Sequence, residues 1–403
     1  MRPLCLLLLA TATSVAAAQT RARDLGIPFD GKPGALNAIT DVAGVQVGQT
    51  TIIRGEGRLV VGTGPVRTGV TAILPRGAGS TEPVFGAWWA LNGNGEMTGT
   101  TYLEEDGLLA GPVALTNTLS VGVVRDAVIA WSMRHHYTAW DVALPVVAET
   151  WDEPLNDIEG MHVRAPDLYH ALDAATGGAV NEGNVGGGTG MVCHEFKGGI
   201  GTASRTLAPE EGGYTIGVLV QCNCCSRERL MVSGVPVGRE IPDLMPCLTL
   251  PVPTRAWLAH TPHCDAAGPR GSLPRPPGRN GSIIVIVATD APLLPSQLKR
   301  IARRVALGIG RMGGLGEDSS GDIFLAFSTA PTGTAGDSAV LTLHALRNER
   351  MNPLFAATVQ ATEEAIVNAM VAAETMTGAD GVRVYALPHD RLVAAMRKYG
   401  RMR

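Results

Sequence analysis

Apolar positions along this chain fall into two kinds of pattern, and each predicts a different element. Short runs rich in β-branched residues mark strands. Val45-Gln46-Val47-Gly48-Gln49-Thr50 opens with an apolar/polar alternation, and Val70-Thr71-Ala72-Ile73-Leu74 stops at Pro75. Residues 111–118, 146–151, 215–221 and 322–328 have the same character. Residues 283–288 are uninterrupted β-branched or small apolar residues, the pattern of a strand covered on both faces. Elsewhere apolar residues recur at intervals of three and four. Residues 123–133 have this spacing, and residues 295–310 place Leu298, Ile301, Val305 and Ile309 on one face, with Asp290 ahead of a proline-rich start. A long helix is predicted over 353–377, turning Phe355, Val359, Thr362, Ile366 and Met370 inward and closed by Gly378. A last helix should begin near Asp390. Strands and helices interleave without a repeat period or heptads, which predicts a layered α/β arrangement.

Composition narrows the function. The 403 residues are 45% hydrophobic and 17% charged with a formal net charge of −4, ordinary for a globular chain of one large or two medium units. The absence of a basic block argues against nucleic acid as a partner. The N-terminus has the form of a signal peptide over residues 1–18: Arg2, an apolar run from Leu4 to Ala10, then Ala16-Ala17-Ala18 before Gln19. A periplasmic or secreted protein is expected, with no membrane attachment once that segment is removed. Its removal takes Cys5 and leaves Cys193, Cys222, Cys224, Cys225, Cys247 and Cys264, an even set in an oxidising compartment. Disulfides are expected and their connectivity stays open. On a strand, Cys222 and Cys224 would share one face and Asn223 would take the other.

Several familiar chemistries are excluded by spacing. Residues 184–190 are glycine-rich but lack the Gly-Lys-Ser/Thr of a phosphate loop, so a turn permitting close backbone approach is the better reading. There is no G-x-S-x-G elbow before a helix and no H-E-x-x-H, and no metal and no cofactor are assigned. A different device stands at Gly281-Ser282. A flexible Pro/Arg/Gly stretch is expected over 262–281, and its run 272–280 cannot form a helix or an inner strand, because its prolines lack a donor and fix φ. Ser282 then opens the apolar strand. Such a serine can attack the carbonyl of Gly281, and hydrolysis of the resulting ester frees its own α-amine as a base for the same hydroxyl. A serine that only begins a strand after a loop is the competing reading. Ser320 and Asp322, in Ser319-Ser320-Gly321-Asp322, place a hydroxyl and a carboxylate just before another strand.

These pieces occur within longer stretches that resemble one family. The segments "RARDLGIPFDGKPGALNAITDVAGVQVGQTTI", "LNGNGEMTG", "GPVALTNTLSVGVVRDAV", "VVAETWDEPLND", "GNVGGGTGM", "FKGGIGTASR", "VSGVPVG", "GSIIVIVATDAPLLPSQLKRIARR", "SSGDIFLAFSTA" and "NPLFAATVQATEEAI" are similar, in this order, to the DmpA/BapA-type aminopeptidases of N-terminal-nucleophile architecture. The resemblance spans nearly the whole chain after the signal segment. It implies a four-layer α/β/β/α sandwich, cleavage between Gly281 and Ser282, and one catalytic domain made of a larger chain (19–281) and a smaller one (282–403). It makes Ser282 the nucleophile, Ser320 and Asp322 its supporting hydroxyl and carboxylate, and Asn223 the oxyanion donor. Glu149 would hold the free ammonium group of a short peptide or amino-acid amide. A homo-oligomer of processed heterodimers is also implied. Trp151 stands where relatives carry a tyrosine beside the oxyanion site, and Cys224-Cys225 replaces an aromatic–glycine pair. Acyl transfer by the same nucleophile is the alternative chemistry, and a catalytically silent binding protein the alternative class.

Overall fold

Period-two patterning along nine principal strands builds two sheets that face each other. In chain order the strands are β1 (Gln46–Arg54), β2 (Val66–Leu74), β3 (Val84–Ala90), β4 (Val113–Asn117), β5 (Val146–Thr150), β6 (Gly199–Thr206), β7 (Thr215–Cys224), β8 (Gly281–Thr289) and β9 (Gly321–Ser328). Four helices cover the outer faces of the sheets: α1 (Val121–His135), α2 (Ala165–Asp173), α3 (Pro295–Arg311) and α4 (Asn352–Val371). This computed structural model describes residues 19–136, 144–266, 281–333, 339–340 and 342–402. The expected signal segment 1–18 and most of the 262–281 stretch lie outside them.

The first sheet has the order β1-β2-β4-β5, and the second places β3-β9-β8-β7-β6 side by side, with the short strand Leu108–Leu109 beyond β3. Only the β4–β5 and β8–β9 pairs are parallel in these two sheets. Alternate residues of each strand serve different apolar layers. Val47, Ile73, Leu115 and Ala148 meet Leu219, Ile284, Ile286, Ile323 and Leu325 between the sheets. Val70, Ala72, Ala114 and Val147 instead pack under Val124, Val128 and Trp131 of α1 and Leu168 and Leu172 of α2. On the opposite outer face Val218, Val220, Ile283, Val285 and Phe324 meet Leu298, Ile301 and Val305 of α3 and Leu354, Ala361 and Ala365 of α4. Helices, sheet, sheet and helices thus form the four-layer α/β/β/α sandwich that the resemblance implied.

β8 lies in the middle of its sheet, paired antiparallel with β7 and parallel with β9, and every residue of it is buried. The unbroken apolar run therefore fits a strand covered on both faces. Two strands have no prediction from the sequence. β6 is Gly199-Ile200-Gly201-Thr202-Ala203-Ser204-Arg205-Thr206, whose small residues let α4 approach: a Cβ on Gly201 would lie 2.0 Å from the Ala365 carbonyl oxygen. β3 hides among glycines and tryptophans.

Three expectations need correction. The 353–377 helix stops at Val371, and Met376–Thr377 instead pairs with Val382–Val384 as a small strand. Gly378 is not its cap; a Cβ there would strike the Leu155 carbonyl oxygen at 2.1 Å. Within α4 Phe355 and Val359 are only half-buried, whereas all of 361–370 is buried, because this helix is enclosed on every side over its second half. Ahead of α3 the Asp290 carboxylate accepts the Thr215 N–H at 2.7 Å, and Gln297 accepts the Leu294 N–H at the helix start. Among the described residues no helix is long and apolar enough to cross a membrane.

The six cysteines form three disulfides: Cys193–Cys222, Cys224–Cys225 and Cys247–Cys264. The last anchors the front of the proline-rich stretch, where the Leu248 N–H also donates to the Pro262 carbonyl and the Cys264 N–H to the Leu248 carbonyl. Residues 262–266 are therefore fixed to the body, which the composition of the stretch concealed.

The amphipathic placement of α3 gives a direct check. Leu298 is fully buried, while Leu307 on the same helix is 59% exposed. Leu298→Ala should lower the unfolding free energy by about 2–5 kcal/mol, and Leu307→Ala should stay within about 0.5 kcal/mol of wild type, as read by denaturant melts of the two variants.

Candidate active site

The strand register brings the predicted residues together. In the β7–β8 pair Asn223 lies opposite Ser282, and Cys224 opposite Gly281. In the β8–β9 pair Ser282 lies beside Gly321 and Ile283 beside Asp322. Ser282 shares the strand face of Ile284 and Ile286, so it points toward the space between the sheets, where the apolar filling ends and a cavity opens. That cavity has a volume of about 510 Å³ and is lined by Gly93, Gly95, Glu96, Thr118, Glu149, Trp151, Gly281 and Ser282 among others. Ser282 is only 5% exposed, and the Gly321 N–H donates to its Oγ at 3.3 Å. Gly281 has φ 94, a left-handed backbone that glycine adopts without a Cβ clash, immediately before the serine.

The Asn223 side chain is held at both ends. Its Oδ1 accepts the Val192 N–H at 2.8 Å, and its Nδ2 donates to the Trp151 carbonyl at 2.8 Å. These two contacts fix which end of the amide carries the hydrogens. One Nδ2 hydrogen is used by Trp151, and among the described residues no other acceptor takes the second. Trp151 thus contributes through its backbone as well as its ring, which packs against Trp257 with centroids 6.0 Å apart.

Ser320 and Asp322 form one unit: Ser320 Oγ donates to Asp322 Oδ1 at 2.7 Å. The other carboxylate oxygen receives Asn92 Nδ2 at 3.2 Å, while Asn92 Oδ1 accepts the Asp322 N–H at 2.7 Å. Burial pushes the Asp322 carboxyl above the usual range, and the bonds from Ser320, Asn92 and the Ile283 backbone pull it back down. Asn92 is a residue that sequence reasoning missed as a participant, although it lies in the "LNGNGEMTG" segment. Nothing in a lone asparagine within a glycine-rich turn announces that it will grip a carboxylate 230 positions away.

Glu149 reaches the cavity from the end of β5. Its Oε1 accepts the Glu96 N–H at 3.0 Å and its Oε2 accepts the Thr118 hydroxyl, so the carboxylate is fixed while only 3% exposed. Gly95 is needed here because a Cβ would approach Glu149 Oε1 at 3.1 Å and Gly321 Cα at 3.0 Å. The glycine-rich segment 184–190 serves close packing as well: a Cβ on Gly187 would meet Gln221 Oε1 at 2.1 Å. Among the described residues, three sulfurs of Cys193, Cys222 and Cys224 lie within 4.8 Å of one another on the far face of β7. Cys193 and Cys222 are bonded to each other and Cys224 to Cys225.

A hydroxyl, an amide facing it across one strand pair, a hydroxyl–carboxylate unit and a second carboxylate at the cavity wall make a set suited to acyl chemistry. Comparison with known proteins identifies the family. Residues 37–384 match the model of peptidase family S58. The chain belongs to that family. The S58 chain is 51% identical over 384 residues to the beta-peptidyl aminopeptidase BapA of Sphingosinicella microcystinivorans, covering 95% of this chain and 93% of that one. It is 46% identical to the BapA of Sphingosinicella xenopeptidilytica, covering 97% and 94%. Among solved structures it resembles the L-aminopeptidase D-Ala-esterase/amidase of Ochrobactrum anthropi, described as a variant of the Ntn-hydrolase fold, with TM-score 0.81, 44% identity and coverage of 95% and 99%. This S58 protein is a serine aminopeptidase of that fold.

The Asn92 contacts predict a measurable dependence. Asn92→Ala leaves the buried Asp322 N–H without its acceptor and removes one donor from the carboxylate. Stability should fall by about 1–3 kcal/mol, read by chemical denaturation, with the loss absent when the same change is made at Asn94, whose Nδ2 donates to the Ser319 carbonyl at the exposed rim.

Proposed function

We propose that this protein is exported, cuts itself between Gly281 and Ser282, and then removes N-terminal β-amino residues from short peptides and amides. The observation that carries this reading is the pairing of Ser282 with Asn223 at a cavity whose other wall presents Glu149. In the first reaction Ser282 Oγ attacks the Gly281 carbonyl carbon, the Gly281–Ser282 C–N bond breaks, and the nitrogen takes a proton. Water then hydrolyses the ester, leaving a carboxylate on Gly281 and a free hydroxyl and α-amine on Ser282. In turnover the neutral amine accepts the Oγ proton as the oxygen attacks the substrate carbonyl. It returns that proton to the departing amine, and water releases the acyl group.

Each residue of the set has a task that its contacts support. Asn223, opposite Ser282 in the strand pair, gives its second Nδ2–H to the negative charge that develops only in the tetrahedral state, the place where a fixed donor helps most. Ser320 and Asp322, adjacent to Ser282 through the parallel β8–β9 register, hold and polarise its amine. Glu149, already fixed by Glu96 and Thr118, meets the substrate ammonium and disfavours blocked N-termini. The β-amino preference is supported by the names of the two BapA relatives and of a similar Burkholderia sp. beta-aminopeptidase structure. Export is supported by the character of residues 1–18 and by the three disulfides.

Mass spectrometry of the purified protein should give a fragment beginning at Ser282, and Ser282→Ala should remain one uncut chain. A wild type that stays uncut overturns the reading. Asn223→Ala should lower kcat about 10²–10³-fold, and Glu149→Gln should cost about 1.5–3 kcal/mol in kcat/KM with free-amine substrates. Activity should rise with pH as the Ser282 amine loses its proton near ~7.7–8.0 and fall again once the substrate ammonium is lost. β-Homoamino-acid p-nitroanilides tested beside their α-amino counterparts decide the preference.

A further inference from the structure

One charged side chain near this site has no part in the chemistry above. Lys197 is fully buried, and its Nζ donates to the carbonyls of Met191 at 2.7 Å, Gly198 at 3.0 Å and Gly188 at 3.4 Å. Three acceptors use all three hydrogens of an ammonium group; a neutral amine could supply only two. Burial lowers this lysine from its usual range, while nearby Asp152 works against that fall and the three carbonyl acceptors favour the ammonium form. An ammonium kept in such a place at this cost needs a reason beyond closing a turn, since an apolar side chain of similar volume avoids the penalty.

The reason lies in one peptide group. Lys197 sits directly across a two-stranded ribbon from Val192. Its shortest bond is to the Met191 carbonyl, and the N–H of that same Met191–Val192 peptide is the donor to Asn223 Oδ1. The line runs from ammonium to carbonyl, through the peptide, from its N–H to the Asn223 amide, and out through Nδ2. A positive charge on the carbonyl oxygen polarises the peptide and strengthens its N–H as a donor. That in turn draws electron density from the Asn223 nitrogen and strengthens its remaining N–H. The ribbon is also tied to β7 beside Asn223 through Cys193–Cys222, so the line is rigid as well as polar.

We propose that Lys197 is a positioning residue for the oxyanion amide, acting on Asn223 through the Met191–Val192 peptide. The inference rests on the reading of Asn223 as oxyanion donor, and the test separates the two. Two inhibitors carrying the same β-amino group are compared: an aldehyde, whose adduct with Ser282 places an oxyanion at Asn223, and the corresponding alcohol, which forms none. In Lys197→Met the aldehyde should bind about 10–100-fold more weakly, with alcohol binding within about twofold of wild type. Self-cleavage, which passes through the same kind of tetrahedral state, should slow by a similar factor. Kinetics should show the loss in kcat rather than KM.

Lys197→Gln is made in parallel, so that poor folding of the methionine variant leaves a second, less disruptive change to decide. Wild-type aldehyde affinity and cleavage rate in either folded variant would overturn the proposal. So would an equal weakening of aldehyde and alcohol, or the failure of both variants to fold, since each makes Lys197 a structural residue only. Asn223→Ala is the control: if it leaves aldehyde affinity unchanged, the oxyanion reading of Asn223 itself fails.

Discussion

The antiparallel register between β7 and β8 is the constraint on which the cavity depends. It sets Asn223 opposite Ser282, and the alternation of a strand then sends both toward the space between the sheets. A slip of one residue would turn the serine into the layer beneath α3 and α4, next to Cys222, and put Ile283 at the cavity floor. Such a slip is resisted along the whole length of the pair, because Ile284 and Ile286 would have to exchange layers with Val285 and Val287. The chemistry is thus held in place by hydrophobic residues far from it.

Around this register the protein spends polar contacts on orientation. Asn223 is held by Val192 and Trp151, Asp322 by Ser320 and Asn92, and Glu149 by Glu96 and Thr118. Each functional group is bonded by neighbours that belong to different elements, so no single loop motion can realign it. The glycines at 95 and 281 leave the space and the backbone freedom that such convergence requires. Preorganised dipoles of this kind need little rearrangement when charge appears.

Much of this was legible from residue pattern alone, and the reasons differ by element. β8 and α3 are locally decisive: one is a run of β-branched residues, the other a clean apolar stripe. The junction at Ser282 could be suspected from the proline-rich stretch before it. The roles of Asn223, Ser320, Asp322 and Glu149 came from resemblance, since an asparagine in a strand and a serine before one have no periodicity to mark them. β6 escaped because its residues are chosen for thinness against α4 rather than for strand propensity. The end of α4 was overrun because apolar residues continue into a segment that pairs as a strand instead. Asn92 grips Asp322 across a long sequence distance, which no local pattern encodes, and the Lys197 ammonium meets carbonyls of a turn whose shape the residues around it do not announce. The disulfide pairs were open because spacing alone does not say which of the six cysteines meet in the fold.

The position of β8 has one more consequence. Its sheet is built from β3, β6 and β7 on one side of the proposed cut and β8 and β9 on the other, with the two later strands clasped between the earlier ones. A break before Ser282 would therefore leave two polypeptides sharing a single sheet, neither able to leave without tearing out its centre. Before the break, refolding is a search by one chain; afterward it is an encounter between two, in which each presents unpaired edges to solvent. The mature protein's endurance would then be a lifetime governed by the barrier to coming apart, rather than an equilibrium to which it can return.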